Sequence, residues 1–259
     1  MKNILLLLPL FAASITLCLA EEAKPNLDDP ATLEKIVEKA IDGDMLEKRT
    51  VDGHRLSFAR NSETPYSGWV KLLHGNAQVR WLGKYKDGKA IGLITVWYEH
   101  LQKQRETMLK NGKQIWFRTW YTDGQKAREV HYNDDKPWSA KTWKPDGTPC
   151  PDTDLKDGNG ALFQYYDNGQ KAMEENFING NEDGNNRSWN ENGQKIYESP
   201  RKDGKAYGTT TTWYENGQKR NEINYKEGKK HGLETRRDKE GNITSQIRYE
   251  KGKQVEKVK

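Results

Sequence analysis

Glu106, Glu129, Asp152, Glu174, Glu198 and Glu222 recur at intervals of 22 to 24 residues, and this file of carboxylates is the pattern in the chain that comes nearest to chemistry. Carboxylates held a few ångströms apart could bind a divalent cation or divide acid and base roles between them. The other reactive types are sparser. His54, His74, His100, His131 and His231 fall at different phases of the same recurrence, so no stacking gathers them into a zinc site. Cys150, within Thr148-Pro149-Cys150-Pro151, could be a nucleophile or an intermolecular bridge, but its place in a degenerate turn favours a structural role. There is no Ser/His/Asp arrangement, and no Gly-rich stretch opens a helix with a Lys-Ser/Thr partner. The chain is therefore expected not to be an enzyme: no catalytic residue, metal ligand or cofactor is assigned.

What positions the carboxylates is a repeat, clearest in Gly208 to Gly232, GTTTTWYENGQKRNEINYKEGKKHG. Anchored on the position of Trp213, the copies fall at Leu73, Trp97, Trp120, Trp143, Tyr165, Trp189, Trp213 and Arg237. Eight copies at so regular a period mean stacked supersecondary units. Within one copy, a β-branched and aromatic run, an Asn-Gly turn and an alternating run read as a β-hairpin. A three-residue loop of Asn216, Gly217 and Gln218 with a bulge places Trp213, Ile223 and Tyr225 on one side. Twelve residues after each anchor stand Tyr85, Leu109, Tyr132, Leu155, Phe177, Arg201, Tyr225 and Tyr249. The expectation is a structural aromatic ladder along one face: Trp97, Trp120, Trp143, Tyr165, Trp189 and Trp213 with Tyr85, Tyr132, Phe177, Tyr225 and Tyr249. Gly124, Gly147, Gly169, Gly193, Gly217 and Gly241 supply the first turns, while Ala77 and Leu101 break that rule.

Stacked hairpins set successive members of the acidic file two strands apart, about 9.5 Å, too far to share one ion. The file then reads as a charged solvent face interleaved with Lys126, Lys171, Lys195 and Lys219.

The first twenty residues, with Lys2, an apolar run from Ile4 to Leu19 and small residues before Glu21, read as a signal peptide cleaved after Ala20, with an uncleaved anchor or a lipidated Cys18 as alternatives. From Arg201 onward there are 16 Lys+Arg against 9 Asp+Glu, a basic end that could meet an anionic surface. Residues 21–44 read as a helix and cap, with Asp28 or Asp29 as N-cap, Leu33, Ile36, Val37, Ala40 and Ile41 along one face, and Gly43 as the stop. That helix is expected to cover the first edge of the sheet. Residues 45–67 read as an irregular opening hairpin turning at Asp52-Gly53, and residues 68–259 as the eight repeats in one continuous domain. Asp134-Asp135-Lys136-Pro137 and Thr148-Pro149-Cys150-Pro151 replace regular turns, where a kink or protruding loop is expected.

The runs KDGKAIGLITVWYE at Lys86 to Glu99 and KDGKAYGTTTTWYENGQK at Lys202 to Lys219 resemble the variant MORN repeat, and FARNSETPYSGWVK resembles the lead-in of the YwqK-family antitoxins of toxin-antitoxin systems. The resemblance implies an all-β fold: an elongated, twisted, antiparallel single-layer sheet of stacked hairpins, preceded here by the short helix. It implies protein contacts, sometimes lipid contacts, and no catalytic residue. The expected function is a secreted, periplasmic or cell-envelope scaffold for protein binding. The alternatives are an antitoxin or immunity protein whose partner is a toxin, and peripheral binding to anionic membrane; no nucleic acid is expected.

Overall fold

A computed structural model describes residues 25–259. The expected signal peptide lies outside the described residues. Each copy folds as a hairpin, and the copy that defines the repeat shows why. The run of threonines suits a pleated strand, and Gly208–Trp213 pairs with Lys219–Lys226 in a register running from Gly208↔Tyr225 to Thr212↔Asn221. The turn is closed by the Tyr214 N–H donating to the Gln218 carbonyl at 2.9 Å and the Gly217 N–H to the Tyr214 carbonyl at 3.0 Å. The loop therefore consists of Glu215, Asn216 and Gly217, with Gly217 left-handed at φ 84°, and the bulge shifts the register between Thr212 and Trp213. The expected three-residue loop with a bulge exists, but one residue earlier.

That single step has a large consequence, because strand side chains alternate between faces. Trp213 joins the side of Thr211 and Glu222, whereas Tyr225 joins the side of Thr210 and Ile223. The one-sided aromatic ladder is thus corrected: the anchor tryptophans and the residues twelve further on occupy opposite faces. We call these the helix side and the far side.

The second turns are tighter. Asp203-Gly204, with φ of 49° and 76°, has both residues left-handed, as a two-residue type I′ hairpin loop requires. Asp134-Asp135 makes the same turn without glycine, at φ 46° and 64°, so the first expected kink is a regular turn followed by a bulge between Pro137 and Ser139. Turns are also tied from copy to copy: the Gly204 N–H reaches the Glu182 carbonyl at 2.8 Å and the Gly228 N–H the Ala206 carbonyl at 2.9 Å.

The hairpins form long open antiparallel sheets. An eight-stranded sheet runs from Ile41–Asp42 through Gly68–Leu73 to Lys136–Thr142, and an eleven-stranded one from Gly160–Tyr165 to Lys253–Lys257. Continuous pairing across all eight copies is interrupted at the fourth, where the strand returning from Trp143 contains Pro149 and Pro151. Proline has no N–H to donate, so this segment keeps only the Trp143↔Pro149 bridge and bonds such as the Ala140 N–H to the Leu155 carbonyl at 3.1 Å. Leu155, 2% exposed, fills the gap between the sheets with Phe117, Val130, Leu162 and Phe177 on the far side.

At the other end, the helix spans Pro30–Lys39. Asp29 caps it, its carboxylate accepting from the Thr32 N–H at 2.9 Å, and the Lys71 ammonium donates to the Val37 carbonyl in the last turn at 2.8 Å. The helix stops before Gly43: Ala40 is already extended, and Ile41–Asp42 pair in parallel with Val70 and Lys71. It is therefore this two-residue strand that covers the first edge. The helix lies over the face, where Leu33, Ile36 and Val37 pack on a cluster containing Leu82 and Trp97. The opening hairpin, Leu46–Val51 with His54–Ala59, is regular through six consecutive pairs and forms its own two-stranded sheet. Among the described residues, no helix is long and apolar enough to cross a membrane.

Candidate binding groove

On the helix side, the acidic file becomes one rail of a charge zipper. The strand between successive glutamates carries a cation opposite them: Glu106↔Arg118↔Glu129 in the first sheet and Glu174↔Arg187↔Glu198 in the second. Arg118 Nε lies 2.9 Å from Glu129, and Arg187 reaches Glu174 at 3.0 Å and Glu198 at 3.3 Å. A lysine three residues before each glutamate closes the rail, with Lys103–Glu106 at 2.6 Å, Lys126–Glu129 at 3.3 Å, Lys219–Glu222 at 2.6 Å and Lys195 on Glu198. Lys171 pairs instead with Asp152, at 3.3 Å. Glu106 is buried, so the file is not the open solvent face that its spacing suggests. The same lysines lie over the anchor tryptophan of the following copy: Lys103 over Trp120, Lys126 over Trp143 and Lys195 over Trp213, at 5.7, 5.1 and 4.7 Å from the ring centroids.

These contacts set the ionisation of the rail. Burial pushes the Glu129 carboxyl upward, but hydrogen bonds from His131 and Arg118 outweigh it and bring the pKa down to about 2. Lys195 holds Glu198 below its ordinary value, and Lys219 and Arg237 do the same for Glu222 against its burial.

The remaining expected residues are distributed as follows. Trp97 is buried under the helix, Trp120, Trp143, Trp189 and Trp213 are half-buried, and Tyr165 turns its hydroxyl to Cys150 Sγ at 3.0 Å. On the far side Tyr85, Tyr225 and Tyr249 stand opposite Gly68, Gly208 and Gly232, and Phe177 opposite Gly160. Tyr132 packs instead on Phe117, with centroids 6.0 Å apart. The turn glycines all have positive φ, and so do Ala77 and Leu101, both at 64°. Among the described residues, no three His, Cys, Asp or Glu side chains are grouped to hold a metal ion.

One column lies beside the anchors and was not singled out from the sequence. The hydroxyls of Tyr98, Tyr121, Tyr166 and Tyr214, each one residue after an anchor, donate to the backbone carbonyl of the next copy's anchor: Trp120 at 3.0 Å, Trp143 at 2.7 Å, Trp189 at 2.7 Å and Arg237 at 2.8 Å. Their recurrence at one phase was the available signal.

An open site lies on the far side. A groove of about 400 Å³ crosses from the first sheet to the second, lined by Val96, Arg105, Thr119, Arg128, Thr142 and Gln164, with Tyr98, Tyr121, Tyr165 and Asp167 at its turn end. Arg105 and Arg128, from the strands flanking Phe117, place their guanidinium carbons 4.5 and 4.7 Å from its ring centroid. Burial lowers the Arg128 pKa against the attraction of Glu175, with a smaller contribution from the like charge of Arg105. Burial raises Tyr121 and Tyr165. The groove's arginines sit eight residues after their anchors, where other copies carry Trp81, Pro151, Met173, Tyr197, Asn221 and Ser245, so they belong to no column.

The MORN repeat variant matches residues 159–179 and 206–227, which are two of these hairpins. No match is found among curated proteins. Among solved structures, a chain of the "Crystal Structure of TcdB2-TccC3-Cdc42" aligns at 10% identity and a TM-score of 0.17. The alignment covers 79% of this chain and spans 16% of that one. With the variant matched at two hairpins, this chain is one that carries MORN-variant repeats.

Proposed function

We propose that the protein is an exported, non-catalytic scaffold of the periplasm, cell envelope or extracellular space, and that it binds a protein partner on the far side of its sheet. The observation that carries this reading is the asymmetry of the two faces. On the helix side the charges of the rail are matched within the chain, from Lys103–Glu106 to Arg237–Glu222 at 2.5 Å, and the helix covers one end. The far side keeps an open groove with two half-buried arginines beside one phenylalanine. A surface with polar groups awaiting partners is the one that gains most from a complex. The chemistry-bearing types that would argue for catalysis are dispersed or already paired.

The test is site-specific photocrosslinking in cells of origin, with the reactive side chain at Gln104 or Thr119 in the groove and at Lys195 on the rail. Discrete protein adducts are expected from the groove and not from the rail. Absence of any protein adduct from the groove, or retention of the unprocessed chain in the cytoplasm, would count against this reading. An antitoxin or immunity role is the special case in which the partner is a toxin; co-expression with neighbouring reading frames tests it.

A second reading has its own observation. The last strand, Lys253–Lys257, exposes Val255 at 54% and, just after it, Val258 at 47%, among Lys251, Lys253, Lys257 and Lys259. Apolar side chains among lysines suit an anionic membrane surface. Sedimentation with phosphatidylserine vesicles, lost at high salt, is the result expected of it.

A further inference from the structure

We propose that the far-side groove is a binding site for an acidic segment of a partner polypeptide, a side-chain carboxylate of which is gripped by Arg105 and Arg128 beside Phe117. This rests on the scaffold reading and names the chemistry of its partner.

The first argument is charge. Several other arginines of the sheets have carboxylates: Arg118 has Glu129, Arg187 has Glu174 and Glu198, Arg237 has Glu222, and Arg236 has Glu234 at 2.7 Å. Arg105 has only neutral acceptors, Thr107 Oγ1 at 3.1 Å and Gln114 Oε1 at 3.4 Å. The Arg128 guanidinium has no hydrogen bond or ion pair among the described residues, only the Phe117 ring. The nearest candidate counter-charges do not close an ion pair with them. Glu175 attracts Arg128 but lies outside ion-pair distance. Asp167, on the rim, accepts from Thr122 Oγ1 at 2.5 Å. Two half-buried like charges with no carboxylate in ion-pair contact repel each other, and an entering carboxylate offsets that repulsion. The Phe117 ring holds both guanidinium groups beside it, and a guanidinium offers the forked geometry of an arginine–carboxylate pair.

The second argument is shape. Val96, Arg105, Thr119, Arg128 and Thr142 form a line across five successive paired strands, with Gln164 beyond them on the second sheet, so the groove extends for at least roughly 19 Å at the spacing of paired strands. A line of that length fits an extended peptide rather than a compact molecule, and the neutral side chains of Thr119 and Gln164 suit its backbone amides.

The probe is a short fluorescein-labelled peptide of alternating Glu and Ala, titrated into the full chain and followed by anisotropy, beside the same peptide with Gln for Glu. Binding is expected for the Glu peptide, at least about tenfold weaker for the Gln peptide and for Arg105→Gln, and weakened by salt. Arg128→Lys keeps the charge but not the fork, and an intermediate loss is expected; it carries the test should circular dichroism show Arg105→Gln unfolded. Equal affinity for the two peptides, or wild-type affinity in a folded Arg105→Gln and in Arg128→Lys, overturns the proposal. So does Arg105-dependent binding to phosphatidylserine vesicles that exceeds binding to the peptide. If photocrosslinked partners persist in folded Arg105→Gln, this proposal falls and the scaffold reading stands; if no groove position crosslinks in wild type, both fall.

Discussion

On the far side of the first sheet one row of facing residues reads Thr107, Phe117, Val130 and Ala140; the corresponding row of the second reads Glu175, Asn186, Ser199, Thr210, Ile223 and Glu234. The hairpins and turns are the same, but the first row is mostly apolar where the Leu155 segment covers it, and the second, outside that apolar cluster, is mostly polar, with Asn186, Ser199, Thr210 and Glu234 buried in it. The polar row satisfies itself instead. Ser199 and Thr210 share a hydrogen bond at 2.8 Å, and buried Glu234 is held by Lys230 at 2.5 Å and Arg236 at 2.7 Å. The copies therefore cohere through paired backbones, tyrosine clasps and the charge rail, and apolar clusters occur where the helix or the proline-broken segment gives the sheet a second layer.

The largest test of that contrast is a pair of truncations in the same row. Phe117→Ala is expected to cost about 3 to 5 kcal/mol, because the site is covered and cannot collapse. Ile223→Ala, half-buried in the mostly polar row, should cost about 1 kcal/mol or less. Urea unfolding of both variants measures this, and equal losses would remove the distinction between the sheets.

Acid should act on both sheets together, since the rail runs through each. A carboxyl whose folded pKa lies below its unfolded value stabilises fully above the unfolded value and loses that contribution as the pH falls through the folded one. With Glu129 at about 2 against an ordinary 4.5, and Glu198 and Glu222 also lowered, stability should decline from pH 4.5 toward pH 2. Glu129→Gln should flatten part of that decline in urea titrations across this range. An unchanged slope would mean that the rail carries little of the linkage.

Much of this was legible in the sequence because a period exposes what each phase must do. The hairpins, the glycine turns, the helix cap at Asp29 and the disruption around Pro149 and Pro151 follow from local chemistry. The side of Trp213 did not, because the loop had to be placed to a single residue and its bulge counted. Glutamates judged two strands apart looked isolated until the intervening strands supplied Arg118 and Arg187. The groove was invisible for a different reason: Arg105 and Arg128 recur at no other copy, and only the register places both beside Phe117.

The tyrosine clasps give a smaller effect that separates neighbouring copies from whole sheets. Tyr214→Phe leaves the ring and removes the bond to the Arg237 carbonyl, so a loss of about 1 kcal/mol is expected. Hydrogen exchange should report it, with faster exchange in the hairpin around Arg237 and unchanged protection around Phe117. Uniform acceleration would show that the sheets open as one unit rather than copy by copy.

The smallest effect concerns the two first turns that lack glycine at the left-handed position. Leu101 adopts φ 64°, where the other copies place Gly124 at 87° and Gly217 at 84°, and its side chain is half exposed. An L-residue with a branched side chain pays roughly 1 to 2 kcal/mol for the left-handed region, while glycine gives back part of that through its freer unfolded chain. Leu101→Gly is therefore expected to stabilise by something under about 1 kcal/mol, and Leu101→Asn by a similar amount without the added entropy of glycine. Ala77→Gly, also at 64° but with a smaller side chain, should gain less. Thermal melts ordered in this way would show that the turn geometry is imposed by the stacked copies on whatever residue occupies it; a destabilised Leu101→Gly would mean that the leucine makes a contribution that its exposure conceals.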